Sequence, residues 1–194
     1  MSLTLRLVLP SDAEGILRIY APYIRESAVT FETEVPSIEG FASRIAEIGE
    51  RYPFLVCGAG DGIAGYAYAS RHKERAAYLY DVDLSIYTAP EWQGSGIAYK
   101  LYGALLELLA GLGYYNAYAG IALPNGRSVS FHKKFGFTEI GTHHKTGYKL
   151  GEWRDVLWLE KAIRERDDAP GIVASINELP RGQVEGILAK YADK

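Results

Sequence analysis

One stretch constrains the fold of this chain more than any other. Ser85 to Thr88 reads as a strand end, Pro90 stops it, and Gly94 and Gly96 follow. Leu101, Leu105, Leu108, Leu109 and Leu112 then recur at helical spacing. Proline ends the strand because it has no N–H to give to a ladder. A strand, a glycine-containing turn and an amphipathic helix in that order set a helix N-terminus beside a strand end. Such an N-terminus presents unpaired N–H groups and a partial positive charge, so it can hold a phosphate. Glycines at 94 and 96 remove the Cβ atoms that would keep a ligand from the backbone. Taken alone, two glycines are better explained as turn geometry. The nucleotide-binding patterns fit poorly: Tyr99 stands where a dinucleotide fingerprint has its third glycine, and the Gly-Lys-Ser/Thr ending of a P-loop is absent.

The rest of the chain supplies strands before this turn and a strand–helix–strand unit around it. Leu3, Leu5, Leu7 and Leu9 alternate with Thr4, Arg6 and Val8 as an opening strand. Ser11 with Glu14 has the pattern of a capping box ahead of a helix carrying Ile16, Ile19, Tyr20, Tyr23 and Ile24. A second helix starts at Ser37 with Phe41, Ile45 and Ile48 on one face, and the polar run Val29 to Glu34 lies between the two. Phe54 to Ala59 and Ile63 to Ser70 read as a hairpin turning at Asp61-Gly62. A longer strand is expected from Ala76 to Thr88. After the leucine helix come a strand at Tyr114 to Ala122, a short helix at Asn125 to Phe135, and a closing hairpin of Glu139 to Tyr148 with Trp153 to Ala162. The predicted class is α+β around a mixed, mostly antiparallel sheet flanked by helices. The expected division is a domain over residues 1–163 and, over 164–194, a charged linker and helical extension.

Composition narrows the function. At 194 residues with 48% hydrophobic and 23% charged, the chain can bury a substantial single core. A formal net charge of −3 argues against a nucleic-acid partner. Met1 to Pro10 alternates rather than forming an apolar block, and no apolar run approaches the roughly 20 residues of a membrane span, so neither leader nor membrane is expected. Cys57, alone and flanked by Leu55 and Val56, reads as a core thiol, which fits a reducing cytoplasm. His143 and His144 lack a third ligand at metal spacing, so no metal site is expected.

A more specific pattern overlies the turn. Gln93-x-x-Gly96-x-Ala98 matches the Gln/Arg-x-x-Gly-x-Gly/Ala signature, and Leu123-Pro124-Asn125-Gly126-Arg127-Ser128-Val129-Ser130-Phe131-His132 continues to Gly136-Phe137. In these segments the chain resembles the GNAT N-acetyltransferases. Val29 to Glu34, Tyr78 to Tyr87 and Gly147 to Val156 resemble the branch that acetylates phosphinothricin and methionine sulfone or sulfoximine. The resemblance covers about residues 3–162.

That resemblance implies the GNAT fold, acetyl-CoA as cosubstrate, and a homodimer. Ile86, Tyr87 and Thr88 would pair with the pantetheine arm, the turn N–H groups of Gly94, Ser95, Gly96, Ile97, Ala98 and Tyr99 would face the pyrophosphate, and Asn125 would contact the arm. Asp83 stands where relatives carry glutamate, as general base or as holder of the substrate ammonium; Asp81 shares its strand face. His132 stands where many relatives place the donor that protonates the leaving thiolate, and a packing role competes with that one. Lys73, Glu74 and Arg75 align with a substrate loop, against the alternative of a solvated charge cluster, and Phe31 would lend an apolar wall. Leu150 departs from the histidine or phenylalanine of relatives. The implied reaction is acetyl transfer to the amine of a small amino-acid-like substrate. Two alternatives stay open: acetylation of a protein, lysine or polyamine amine, and a non-catalytic acyl-CoA sensor, which the presence of Asp83 disfavours.

Overall fold

A computed structural model describes residues 3–192 of the chain. The outer limits of the two expected segments, residues 1, 2, 193 and 194, lie outside the described residues. Seven strands form one sheet: β1 Leu3–Leu7, β2 Phe54–Ala59, β3 Gly62–Arg71, β4 Asp81–Thr88, β5 Asn116–Ala122, β6 Thr138–Lys149 and β7 Glu152–Ala162. Their order is β1-β2-β3-β4-β5-β7-β6, with β4 and β5 parallel and every other pair antiparallel.

Side-chain alternation along the strands decides which helices cover which face. Val82, Leu84, Ala117, Ala119, Leu157 and Leu159 point to one face and pack in a single cluster with α3, Ile97–Leu112. The opposite face carries Phe54, Val56 and Tyr66 against α1, Ala13–Glu26, and α2, Ile38–Gly49. Ser37 caps α2 as its sequence predicts, its hydroxyl accepting the Gly40 N–H at 3.0 Å. The expected pairing of Ser11 with Glu14 is not what starts α1. Asp12 holds the N-cap position with no side-chain bond into α1; its carboxylate closes the preceding 3-10 turn by accepting the Leu9 N–H at 2.7 Å and binds the Arg6 guanidinium through both oxygens.

Two strand limits shift for local reasons. The β2–β3 hairpin turns at Gly60-Asp61 rather than at Asp61-Gly62, because Ala59 pairs with Gly62 and the positive φ of 57° falls on Gly60. The strand expected from Ala76 begins only at Asp81. Residues 76–78 instead form a 3-10 turn closed by Tyr78 N–H to Arg75 and Leu79 N–H to Ala76, and β5 offers no partner before Asn116.

The C-terminal tail is part of the core. Helix α5, Arg181–Ala192, lies along α3 and β1 and buries Val184, Ile187 and Leu188 in the α3 cluster. Each such burial contributes on the order of 1.5–3 kcal/mol. Lys100 fastens the helix end by donating to the carbonyls of Tyr191 and Ala192 at 3.3 and 2.9 Å. Gly103 of α3 leaves no room for a side chain against the Tyr191 ring.

Candidate active site

The site starts where two parallel strands stop pairing. β4 and β5 match Asp81 with Asn116, Val82 with Ala117 and Asp83 with Tyr118, and there the ladder ends. Beyond it β4 stays on β3 through Thr88 while β5 follows β7, so Leu84–Thr88 run without a strand neighbour on one edge. Into the opening point the N-termini of α3 and of α4, Gly126–Lys134. The resulting cavity has a volume of about 540 Å³.

Ile86, Tyr87 and Thr88 line it from β4, and Gly94, Gly96, Ala98 and Tyr99 from the turn. Gly94 and Gly96 hold φ of 82° and 92°, a backbone region that residues with a Cβ rarely enter. No protein atom lies within 4 Å of where a Cβ would stand at either, so the space above them is open. The hydrogen-bond pattern sorts the turn N–H groups. Ser95 gives its own to Trp92, Ile97 to the Ser95 hydroxyl and Tyr99 to Gly96. Among the described residues those of Gly94, Gly96 and Ala98 have no acceptor, and they are the donors left for an anion. Ser95 and Ile97 do not line the cavity: the Ser95 hydroxyl donates to Trp92 at 2.6 Å, and Ile97 lies fully in the core.

Asn125 caps α4, its Oδ1 accepting the Ser128 N–H at 3.1 Å, so only the amide N–H₂ remains for a ligand. From α4, Arg127 and Lys134 also line the cavity, two cations that the sequence reading missed. Their spacing of seven residues, with Phe131 between, is the signature of one helix face and could have found them. Arg127 donates to Gln93 Oε1 at 2.5 Å, Gln93 to the Tyr23 hydroxyl at 3.2 Å, and Tyr23 to the Thr88 carbonyl at 2.9 Å. Two helix N-termini and the Arg127 guanidinium make this part of the cavity attractive to phosphates, with Lys134 lining it from the C-terminal end of α4.

Asp83 sits at the fork. Its Oδ1 lies 2.7 Å from Nδ1 of His72, a residue absent from the sequence reading, and its side chain is 31% exposed. Burial raises the Asp83 pKa; the His72 hydrogen bond and the charges of His72 and Lys73 oppose that rise, and Asp81 adds to it. Asp81 itself is engaged elsewhere, accepting from Asn116 Nδ2 at 2.8 Å, while Asn116 Oδ1 accepts from Arg166 at 3.0 Å.

Asp83 does not itself line the large cavity, which begins on β4 at Ile86, and the other expected residues also lie apart from it. His132 is 4% exposed, rings of Tyr102, Phe131 and Phe137 surround it, and its Nδ1 lies 2.8 Å from the Ser128 carbonyl. Burial holds its pKa down. Lys73, Glu74 and Arg75 are exposed around a pocket of about 40 Å³ that Asp81 also lines. Phe31 lies against Gly147 of β6, on a loop held by Lys149 Nζ to the Thr30 carbonyl at 2.7 Å and by the Arg44–Glu32 pair at 2.7 Å. Leu150 occupies the exposed β6–β7 turn, away from the cavity. His143 accepts from Trp158 Nε1 at 3.3 Å, and His144 meets Asp155 at 3.0 Å.

Comparison with known proteins bears on the fold and the reaction class. Residues 5–158 match the family model described as an acetyltransferase (GNAT) domain. The chain is 35% identical over 156 residues to the phosphinothricin N-acetyltransferase of Streptomyces coelicolor, covering 78% of this chain and 91% of that one. It is 26% identical over 167 residues to the L-methionine sulfoximine/L-methionine sulfone acetyltransferase of Salmonella typhimurium, covering 84% and 96%. A phosphinothricin acetyltransferase from Sinorhizobium meliloti, solved in complex with acetyl-CoA, superposes with a TM-score of 0.81 at 30% identity, covering 91% and 99%.

Proposed function

We propose that this chain, which belongs to the GNAT acetyltransferase family and takes its acetyl group from acetyl-CoA, delivers that group to the amine of a small amino-acid-like molecule. The observation that carries the reading is the placement of Asp83. A carboxylate with a pKa raised by burial, at the fork where β4 and β5 part, is a better proton acceptor than a free one. Relatives that act on phosphinothricin and on methionine sulfone support the acceptor class.

In the proposed reaction the acceptor binds as an ammonium ion, and its proton passes to Asp83, directly or through water. The freed amine attacks the thioester carbonyl carbon. A C–N bond forms, the C–S bond breaks, and the sulfur leaves with the electron pair and takes the surplus amine proton. Aligning the two reactants lowers the barrier by about 7–11 kcal/mol, so no covalent enzyme intermediate is needed. The Gly94, Gly96 and Ala98 N–H groups, with Arg127 and Lys134, hold the phosphates; the free edge of β4 and the Asn125 amide hold the arm. Lys73, whose charge is felt at Asp83, receives the acceptor's carboxylate, and Phe31 closes the apolar side. Buried His132 acts by packing α4.

The exposed rings of Tyr148 on β6 and Trp153 on β7, 5.3 Å apart, with exposed Leu150 in the turn between, offer apolar area suited to a second copy, which supports the expected homodimer. A free, buried Cys57 suits a reducing compartment such as the cytoplasm. Initial rates with acetyl-CoA and methionine sulfone both varied test the direct mechanism. Intersecting reciprocal plots are expected, and parallel ones, the sign of an acetyl-enzyme, would overturn it.

A further inference from the structure

We propose that His72 is the positioning residue for the proton acceptor: its imidazole holds the Asp83 carboxylate at the fork with one oxygen engaged and the other left for the acceptor ammonium. This rests on the assignment of Asp83 as acceptor.

Three observations carry it. His72 follows the last β3–β4 pair, Arg71 with Val82, so its side chain lies diagonally across from Asp83 on the same face of the sheet. The ring is immobilised before it meets the carboxylate. It stacks on Tyr118 at 4.1 Å and 13°, with the edges of Trp158 and Tyr78 at 6.1 and 6.3 Å, and its side chain is 11% exposed. A polar ring in an aromatic setting needs a partner for its nitrogen, and the Asp83 carboxylate at 2.7 Å is the partner present. Because the stacking already fixes the ring, the hydrogen bond orders the carboxylate at little further cost in entropy.

The shortness of the side chain gives this arrangement its purpose. Aspartate reaches one methylene less far than glutamate, so its productive rotamer must be enforced. The charged and titratable groups around Asp83 are His72 and Lys73 beyond β3, Tyr68 on β3, Asp81 on β4 and Tyr118 on β5. Of these, His72 is the hydrogen-bond partner.

The test uses His72→Phe, which keeps the stack but has no donor, and His72→Asn, which restores a donor near the Nδ1 position. Asp83→Asn is run in parallel. With methionine sulfone and acetyl-CoA, His72→Phe is expected to lower kcat roughly tenfold to a hundredfold, the scale set by misalignment of reacting groups. KM for acetyl-CoA stays unchanged, and His72→Asn recovers part of the loss. The hydrogen bond lowers the Asp83 pKa, so its removal moves the acidic limb of the kcat profile to higher pH. Carbon-13 NMR of labelled aspartate, with the Asp83 signal identified by its loss in Asp83→Asn, reads the same upward shift without any turnover. An unmoved carboxyl titration in folded His72→Phe, or an unchanged kcat alongside an impaired Asp83→Asn, overturns the proposal. Wild-type activity in Asp83→Asn overturns the acceptor assignment instead.

Discussion

Asp83 and Tyr118 are the last residues that β4 and β5 pair, and the active-site opening begins at that rung. Below it the two strands share a ladder that fixes the position of Asp83. Above it β4 runs with one edge unpaired to Thr88, with the turn at Gly94 and Gly96 beyond its far end. Asp83 and the glycine turn are thus set beyond opposite ends of one five-residue stretch of strand, Leu84–Thr88.

Asp83→Asn keeps the size of the side chain and removes its charge. Turnover should fall by roughly 10²–10⁴, the range of general base catalysis, with little change in acetyl-CoA affinity. Raising the pH should restore part of the rate, because more of the acceptor amine is then free. Loss confined to KM, with kcat preserved, would assign Asp83 to binding the ammonium alone.

Gly96→Val tests the turn. At φ of 92° the new side chain costs about 1–3 kcal/mol in backbone strain, so a lowered melting temperature is expected. A Cβ there also enters the open space above the turn. Calorimetry on the folded variant should find acetyl-CoA binding abolished, and unchanged affinity would remove the phosphate role of this turn.

Arg127→Ala tests the cation that no turn motif predicts. A charge-assisted contact is worth about 1.5–3 kcal/mol, so coenzyme A affinity should drop roughly ten- to a hundredfold. The deficit should shrink as salt is raised, and pantetheine, which has no phosphates, should bind the variant and wild type alike. An equal loss for pantetheine would mean that Arg127 shapes the cavity rather than holding phosphate.

His132 has a pH signature in stability. Its folded pKa is depressed by burial below the unfolded value of about 6.5. Its contribution is therefore complete above about pH 6.5 and is lost as pH falls through the lower folded value, because the unfolded chain then binds the extra proton. Thermal melts of wild type should steepen their decline in that window relative to His132→Leu. Identical slopes would contradict a buried, neutral imidazole.

Local signals carried much of this account, and tertiary ones did not. Alternation and helical spacing located the elements because each pattern is complete within about ten residues, as with Ser37 and the helix it caps. The turn at Gly94 and Gly96 was legible for the same reason. His72 was not: amid Arg71, Lys73, Glu74 and Arg75 it reads as one more solvated residue, and only the β3–β4 register brings it to Asp83. The packing of the expected C-terminal helix was not legible either, since the sparse apolar residues of α5 gain meaning only against Gly103 and the face of α3. The strand start at Ala76 failed because pairing, rather than propensity, decides where β4 begins.

The most direct measurement of the central claim is the ranking of acceptors by kcat/KM with acetyl-CoA. Methionine sulfone, methionine sulfoximine and phosphinothricin are set against a lysine peptide and spermidine at equal concentrations. The account predicts that at least one of the three amino-acid analogues exceeds both of the others, with its α-amino group as the acetylated atom. A lysine peptide or spermidine at the head of the ranking would contradict it.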